Sequence, residues 1–190
     1  MTELSALWLP ILLGAVFAFV VSSVIHMGPF WHKSDFPQVP NEEKARAVIG
    51  ALGIPPGEYM LPRCNSHAEM RTPEFMQKMS DGPVWLITVR PNGMQGMAKA
   101  LILWFAYLLL VSMFAAYIAS HALAPGAHYL HVFRYIGTTA FMAFSLGLVH
   151  DSIWYSRKWS TTIKLMIDGL IYGLVMAGTF GWLWPKALPM

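Results

Sequence analysis

Four apolar stretches, each about as long as a membrane is thick, constrain this chain more than any other feature. A helix needs about 20 mainly apolar residues to cross the hydrocarbon layer of a bilayer. The stretches that reach this length are residues 4–25, 98–120, 130–149 and 163–184. Only 12% of the 190 residues are charged, about half the proportion usual in a soluble domain. The sequence therefore predicts an all-α membrane protein, a bundle of four transmembrane helices.

The first stretch is expected to remain in the protein as transmembrane helix 1, within residues 1–25. A secretory signal carries a basic region before its apolar core, whereas Met1, Thr2 and Glu3 precede this one. Residues 26–97 are predicted to form an insert between the first two spans. Residues 98–190 are predicted to supply transmembrane helices 2–4 and to form one membrane domain with helix 1.

Basic residues predict the orientation of the spans. Eight lie between or beside spans one and two: Lys33, Lys44, Arg46, Arg63, Arg71, Lys78, Arg90 and Lys99. Three more flank the turn between spans three and four: Arg157, Lys158 and Lys164. Only Arg134 and Lys186 fall on the other side. Because loops rich in lysine and arginine stay cytoplasmic, we expect a multi-pass protein of the bacterial inner (plasma) membrane. Both termini are then periplasmic and loop 26–97 is cytoplasmic.

The insert shows start signals for helices and strands. Residues 41–43, Asn-Glu-Glu, and residues 72–74, Thr-Pro-Glu, are typical helix beginnings. Residues 84–89 form the best strand candidate and residues 58–61 a weaker one. The sequence therefore predicts a small α+β cytoplasmic insert between helices 1 and 2.

A stripe of small residues runs along the fourth span. It consists of Gly169, Gly173, Ala177 and Gly181. Such spacing lets membrane helices approach closely. The stripe predicts helix packing, either within one chain or in a homo-oligomer, and indicates no activity.

The sharpest candidate for chemistry is a cytoplasmic metal site. His26 and His32 follow the first span, and Cys64 and His67 form a C-x2-H pair in the same insert. Three imidazoles and one thiolate would complete a tetrahedral zinc shell. The alternative is that these groups only satisfy nearby carbonyls or lipid headgroups. A haem held by two histidines would require His26 and His150 as its pair.

A second group of polar residues lies at the other end of the spans, around the turn between spans two and three. Its members are His121, His128, His131 and Arg134. They would suit copper, zinc or an anionic headgroup. The alternative is an ordinary interfacial loop.

Asp168 is the one acidic residue within a predicted span, where an ionisable group is a functional-site hypothesis by default. Together with Lys164 and Arg134 it forms the predicted set of intramembrane polar residues. The sequence predicts that Asp168 points into the bundle, with Lys99, Lys164 or Tyr155 as its partner.

Several strings of this sequence resemble a family of small, uncharacterised four-span bacterial inner-membrane proteins. They are HKSDF at 32–36, PPGEYMLP at 55–62, FRYIGTTAF at 133–141, SIWYSRKWSTT at 152–162 and DGLIYGLVMAGTFGWLWP at 168–185. The resemblance implies a location in the membrane and no activity.

The leading functional expectation is a non-enzymatic accessory or lipid-facing membrane protein. No nucleophile, base and oxyanion donor can be assembled from the sequence, so no catalytic residue is assigned. The expected partners are the lipid bilayer and either a second copy of the chain or another membrane protein. The net charge of +3 is too small to indicate nucleic acid. No cofactor is predicted. The alternatives are a zinc- or haem-binding protein that uses the cytoplasmic histidines, and a small transporter with Asp168 as its coupling acid.

Overall fold

The computed structural model describes residues 1–28, 31–93 and 96–187. Its contacts divide the chain into a helical unit, residues 1–37 and 96–190, and a loop unit, residues 38–95. In chain order the elements are α1 (Trp8–Met27), α2 (Glu42–Ala51), β1 (Gly57–Leu61), α3 (Pro73–Asp81), β2 (Trp85–Val89), α4 (Met97–Ala122), α5 (Tyr129–Phe141), α6 (Leu148–Trp154) and α7 (Trp159–Leu183). The segment that follows α1, expected in the insert, thus belongs to the helical unit up to Pro37.

Among the described residues, four helical segments are long and apolar enough to cross a membrane. They are Leu4–Met27, Met97–Ala122, Tyr129–Trp154 and Trp159–Leu183. The prediction of a mostly helical protein with four such helices and a small strand-containing insert is confirmed. The bounds differ most at the end of the third segment, which extends to Trp154 instead of Val149, and at the start of the fourth helix, which begins at Trp159 instead of Ile163. Hydropathy misses this turn because it is polar, but the Thr162 hydroxyl lies buried, 2.7 Å from that of Ser152.

Small residues bring α7 close to α5. A side chain added at Gly173 would lie 3.3 Å from backbone atoms of Gly137 and Phe141. One added at Gly137 would lie 3.2 Å from Ala177. The small-residue stripe of α7 therefore packs against α5 inside one chain, which is the first of its two predicted uses.

Helix α1 packs against α4 and α7 by the same means. The backbone of Gly14 leaves room for the Phe180 ring and the Ser112 hydroxyl, each 3.3 Å from where a Cβ would lie. That hydroxyl donates a hydrogen bond of 2.9 Å to the Ile11 carbonyl. Close packing around small residues, polar contacts and buried large side chains such as Phe180 hold these helices together.

A short π-helical turn, Met142–Leu146, joins α5 to the turn before α6. The Ser145 hydroxyl donates to the Met166 carbonyl across 3.1 Å. Ser145 and Phe144 also fill the space in front of Gly169. Widened turns of this kind occur frequently at functional sites. This one fixes the part of α7 that carries Asp168.

The loop unit contains α2, α3 and a two-stranded antiparallel sheet in which Tyr59 pairs with Ile87. Both predicted strands are confirmed, including the weaker one. Thr72 begins α3 as expected, and its hydroxyl accepts a hydrogen bond from the Phe75 amide. Asn41 precedes α2 but adopts a left-handed backbone (φ 53°) and makes no side-chain cap. The predicted helix beginning at residues 41–43 is confirmed, since α2 begins at Glu42, but the Asn41 side chain does not cap it.

Candidate metal centre

Asp168 lies on α7, nine residues after Trp159, which is roughly 13 Å along the helix axis. Its side chain points into the helical unit and only 1% of the residue is exposed. The indole N–H of Trp31 donates to Oδ1 across 2.8 Å, and Nε2 of His32 lies 2.9 Å from Oδ2. A buried carboxylate needs such partners, because burial without them costs several kcal/mol.

The partners of Asp168 differ from those expected. Lys164 makes its ion pair with Asp35, at 2.9 Å, so its predicted pairing with Asp168 is wrong. The aromatic N–H of Trp31 and the imidazole of His32 take that place. Hydropathy and charge patterns give no signal for either contact, since both residues belong to the segment after α1.

Lys164 ties that segment to α7. Its ammonium donates to the Trp31 carbonyl (2.7 Å), to the Ser34 hydroxyl (2.9 Å) and to Oδ1 of Asp35 (2.9 Å). The Asp35 amide also donates to the His32 carbonyl across 3.0 Å, which closes a tight turn. The three donor contacts of one side chain thus fix residues 31–35 in front of Asp168.

Asp35 orients the ring of His32. Its Oδ2 lies 2.7 Å from Nδ1 of His32, and an ionised carboxylate accepts only, so the ring nitrogen donates. Burial acts to raise the pKa of Asp35. The hydrogen bonds from His32 and Lys164, with the positive charge of Lys164, outweigh that effect and hold the pKa below its ordinary range. Asp35 is therefore ionised at neutral pH, and the Nδ1 of His32 keeps its proton.

His26, in the last turn of α1, completes the group. Its ring stacks on that of His32 with centroids 4.6 Å apart and planes 20° apart. Its Nε2 lies 3.2 Å from the hydroxyl of Tyr172, one turn after Asp168 on α7. One ligand atom from each of His26, His32 and Asp168 falls within 4.8 Å of the other two. Two imidazoles and a carboxylate therefore lie close together beside α1 and α7.

The contact between His32 and Asp168 is the unusual feature of this group. The two atoms are 2.9 Å apart and buried, yet neither has a hydrogen-bond partner among the described residues. The direction from Nε2 to Oδ2 is not the one in which a ring N–H points. The lone pair of an unprotonated Nε2 lies along that same direction, so it points to one side of Oδ2, as it does when two ligand atoms bind one ion. Two acceptors so close repel each other unless a cation lies between them.

The sequence predicted part of this arrangement. It named His26 and His32 as metal ligands and Asp168 as an intramembrane acid, but did not join them. Cys64 is partly buried and His67 is exposed, and both belong to the loop unit, whereas His26 and His32 belong to the helical unit. The predicted four-residue zinc site therefore remains a prediction.

Trp31 and Asp35 were not singled out as site residues. The one available signal was an acid three residues after His32, within the string HKSD. Such spacing places a carboxylate next to an imidazole when the chain turns.

The histidines at the other end of the helices make local contacts. Nδ1 of His121 lies 2.9 Å from the Tyr117 carbonyl, and the His128 side chain accepts from the Leu130 amide at the start of α5. Arg134 is exposed. These contacts fit the interpretation as helix-end residues. His150, the second residue of the predicted haem pair, lies against the ring of Tyr155.

An apolar groove of about 360 Å³ runs beside the carboxylate, between α1 and α7. Its lining residues are Val24, Ile25, Gly28, Trp31, Ile167, Asp168 and Ile171. Asp168 therefore belongs both to the three-residue group and to the wall of the groove.

Comparisons of the chain with protein-family models, with curated protein sequences and with solved structures gave no significant match. Any function is therefore inferred from the residues of the chain itself.

Proposed function

We propose that this chain is a multi-pass membrane metalloprotein that binds one divalent first-row transition metal through His26, His32 and Asp168. The observation that carries the proposal is the buried contact between His32 and Asp168, in which Nε2 and Oδ2 lie 2.9 Å apart without a hydrogen bond between them. A metal ion bound by Nε2 and Oδ2 would replace their repulsion with two ligand bonds.

The surroundings of the three ligands support a metal rather than a proton. Metal-binding histidines usually donate their other ring N–H to a carboxylate or carbonyl, which fixes the ring and raises its basicity. Asp35 does this for His32. Trp31 donates its indole N–H to the other oxygen of Asp168, Oδ1, and so fixes the carboxylate. A second proton on His32 would also place a cation there, but Nε2 and Oδ2 make no hydrogen bond although they lie 2.9 Å apart.

Two imidazoles and one carboxylate are typical of sites that keep a coordination position open. Catalytic zinc has three protein ligands and a water, and non-haem Fe(II) oxygenases use two histidines and a carboxylate. Zn²⁺ and Fe²⁺ are therefore the metals that we expect this site to bind. A metal held by three ligands can bind and polarise an oxygen atom of a further molecule. This geometry favours the metal-binding alternative over the accessory role. The accessory and transporter roles remain predictions.

The location in the bacterial inner membrane is part of the proposal. Four apolar helices support it, as does the outward exposure of large apolar side chains such as Ile102, Leu103 and Phe114. The distribution of basic residues supports a cytoplasmic position for loop 26–97, with both termini in the periplasm. The metal would then lie at the cytoplasmic end of the helices.

Metal analysis of protein purified without a histidine tag tests the site. We expect close to one Zn²⁺ or Fe²⁺ per chain in the parent after mild washing, and loss of most of it in His32→Ala and in Asp168→Asn. His150→Ala is the matched control and should retain the metal. Cys64→Ser should retain it too, whereas the four-residue site predicts a loss. A parent that neither carries metal nor takes it up on addition would refute the proposal and leave a doubly protonated His32.

The single thiol tests the orientation. In cells with a permeabilised outer membrane, an impermeant maleimide should leave Cys64 unlabelled. The same reagent should label it in inverted membrane vesicles. Labelling in the intact cells would reverse the assigned sides.

A further inference from the structure

The groove beside Asp168 has the form of a site for one hydrocarbon chain. It lies between two helices that are each long and apolar enough to span a membrane. Except for the carboxylate and the indole N–H of Trp31, its lining is apolar. Its volume is at the small end of the range for ligand sites. Such a groove is too narrow for a folded partner and suits a single extended chain.

The side chains along the groove face outward from the helices. Val24 on α1 is 68% exposed and Ile167 on α7 is 39% exposed. On helices that cross a bilayer these side chains contact lipid chains. The groove is then continuous with the acyl region, and a membrane lipid is the molecule that can reach it without passing through water.

The polar end of the groove determines the headgroup. Asp168 is almost fully buried, and its Oδ2, free of hydrogen bonds from the described residues, marks the place where the metal of the proposed function would bind. With neutral imidazoles, a divalent metal and Lys164 carry three positive charges and Asp35 and Asp168 two negative ones. The remaining positive charge favours an anionic oxygen ligand.

We infer that the substrate or ligand of this centre is a membrane lipid with a phosphate headgroup, whose acyl chain lies in the groove and whose phosphate oxygen binds the metal. This inference rests on the proposed function, because it needs the metal at Asp168. Neither the metal nor the groove alone selects such a molecule. A free anion would not use the groove, and a neutral lipid would not use the charge.

Co²⁺-substituted protein in maltoside micelles provides the test. The visible absorption of Co²⁺ changes when its open position takes a ligand, so two probes with the same headgroup can be titrated. Dodecyl phosphate should bind at least about 100-fold more tightly than methyl phosphate, because only the longer probe buries methylene groups. Part of that preference comes from partition into the micelle, so variants of the groove must isolate the rest.

Ile167→Trp fills the groove and should weaken dodecyl phosphate binding about 10-fold, as if roughly two buried methylene groups were lost. Methyl phosphate binding should not change. Leu174→Trp is the matched control, on the same helix, 45% exposed and outside the lining, and should bind both probes like the parent. Val24→Trp fills the groove from α1 and checks that the effect does not depend on one misfolded variant.

The outcomes separate the two proposals. The inference is supported if Ile167→Trp and Val24→Trp retain Co²⁺ but lose preference for dodecyl phosphate over methyl phosphate. Full Co²⁺ binding with equal effects in Ile167→Trp and Leu174→Trp overturns the lipid inference and leaves the metal site intact. Protein that takes up no Co²⁺ overturns the proposed function and the inference with it. A response to methyl phosphate as strong as to dodecyl phosphate identifies free phosphate as the ligand.

Discussion

The helical unit and the loop unit bury different residues. Many buried positions of the helical unit are small or polar, among them Ser22, Ser112, Thr162 and Asp168, and many of its large apolar side chains lie outside. In the loop unit no described residue is buried, and its helices and strands keep apolar side chains such as Val48 and Leu86 exposed. The helical unit therefore depends on close packing and internal polar contacts suited to an apolar environment. The loop unit depends on local hydrogen bonds. Substitutions should separate these two sources of stability.

The largest effect is expected at the buried carboxylate. Asp168→Leu leaves the indole N–H of Trp31 without its acceptor, which costs about 1–3 kcal/mol. The larger Leu side chain in this packed place adds a similar cost of about 1–3 kcal/mol. Asp168→Asn keeps the size and an acceptor for Trp31, so metal-free protein should lose much less. Thermal unfolding of metal-free parent and variants in detergent measures both. Equal losses in Asn and Leu would show that charge, rather than hydrogen bonding, holds this end of the helical unit.

A smaller effect is expected where α7 meets the π-helical turn. In Gly169→Ala the new methyl group would contact the Ser145 hydroxyl and lie 2.8 Å from Cβ of Phe144. Overpacking of this kind costs about 1–3 kcal/mol. At Gly178 the nearest atom is the Tyr129 hydroxyl, 3.7 Å away, so Gly178→Ala is the matched control and should be neutral or stabilising by up to about 1 kcal/mol. If both variants melt at the parent temperature, the close packing of α7 contributes little.

The next effect concerns the residue that positions His32. Asp35→Asn removes the charge that orients the imidazole and raises its basicity, but leaves all three metal ligands in place. We expect metal affinity to fall about 10- to 100-fold, which is typical when such a partner is removed. Competition with a chelator at constant pH measures the affinity. Glu43→Gln, at a surface ion pair of the loop unit, should leave it unchanged. If Asp35 only stabilised the fold, Asp35→Asn would lower the unfolding temperature, and the metal affinity of the folded variant would equal that of the parent.

The four long helices, the two strands and the Thr72 cap could be predicted because each depends on residues close together in the chain. Hydropathy over 20 residues, a short run of strand-forming residues and a hydroxyl before a proline are local signals. The π-helical turn was not predictable, because it depends on Ser145 and Phe144 packing against Gly169 of another helix. The early start of α7 was missed for a similar reason, since the contact that satisfies Thr162 comes from α6.

The candidate site shows the same limit more sharply. His26, His32 and Asp168 stood out individually by residue type and position. Trp31 and Asp168, however, are 137 residues apart, and no local pattern joins them. Lys164 was the obvious partner of Asp168, one turn away on the same helix. It instead binds the turn that carries Asp35, because that turn offers it three acceptors.

The smallest effect is expected in the loop unit, at the start of α3. The Thr72 hydroxyl accepts from the Phe75 amide and donates to the Glu69 carbonyl, so Thr72→Ala leaves one helix-end amide without its acceptor. The loss of a cap costs about 1 kcal/mol and acts on the first turn of the helix. Amide hydrogen exchange over residues 73–81 should therefore become faster, while α5 exchanges as in the parent. Thr72→Ser retains the hydroxyl and should restore most of the protection. Faster exchange in α5 as well would mean that the cap stabilises both units, and the contrast between local and packed stability would no longer hold.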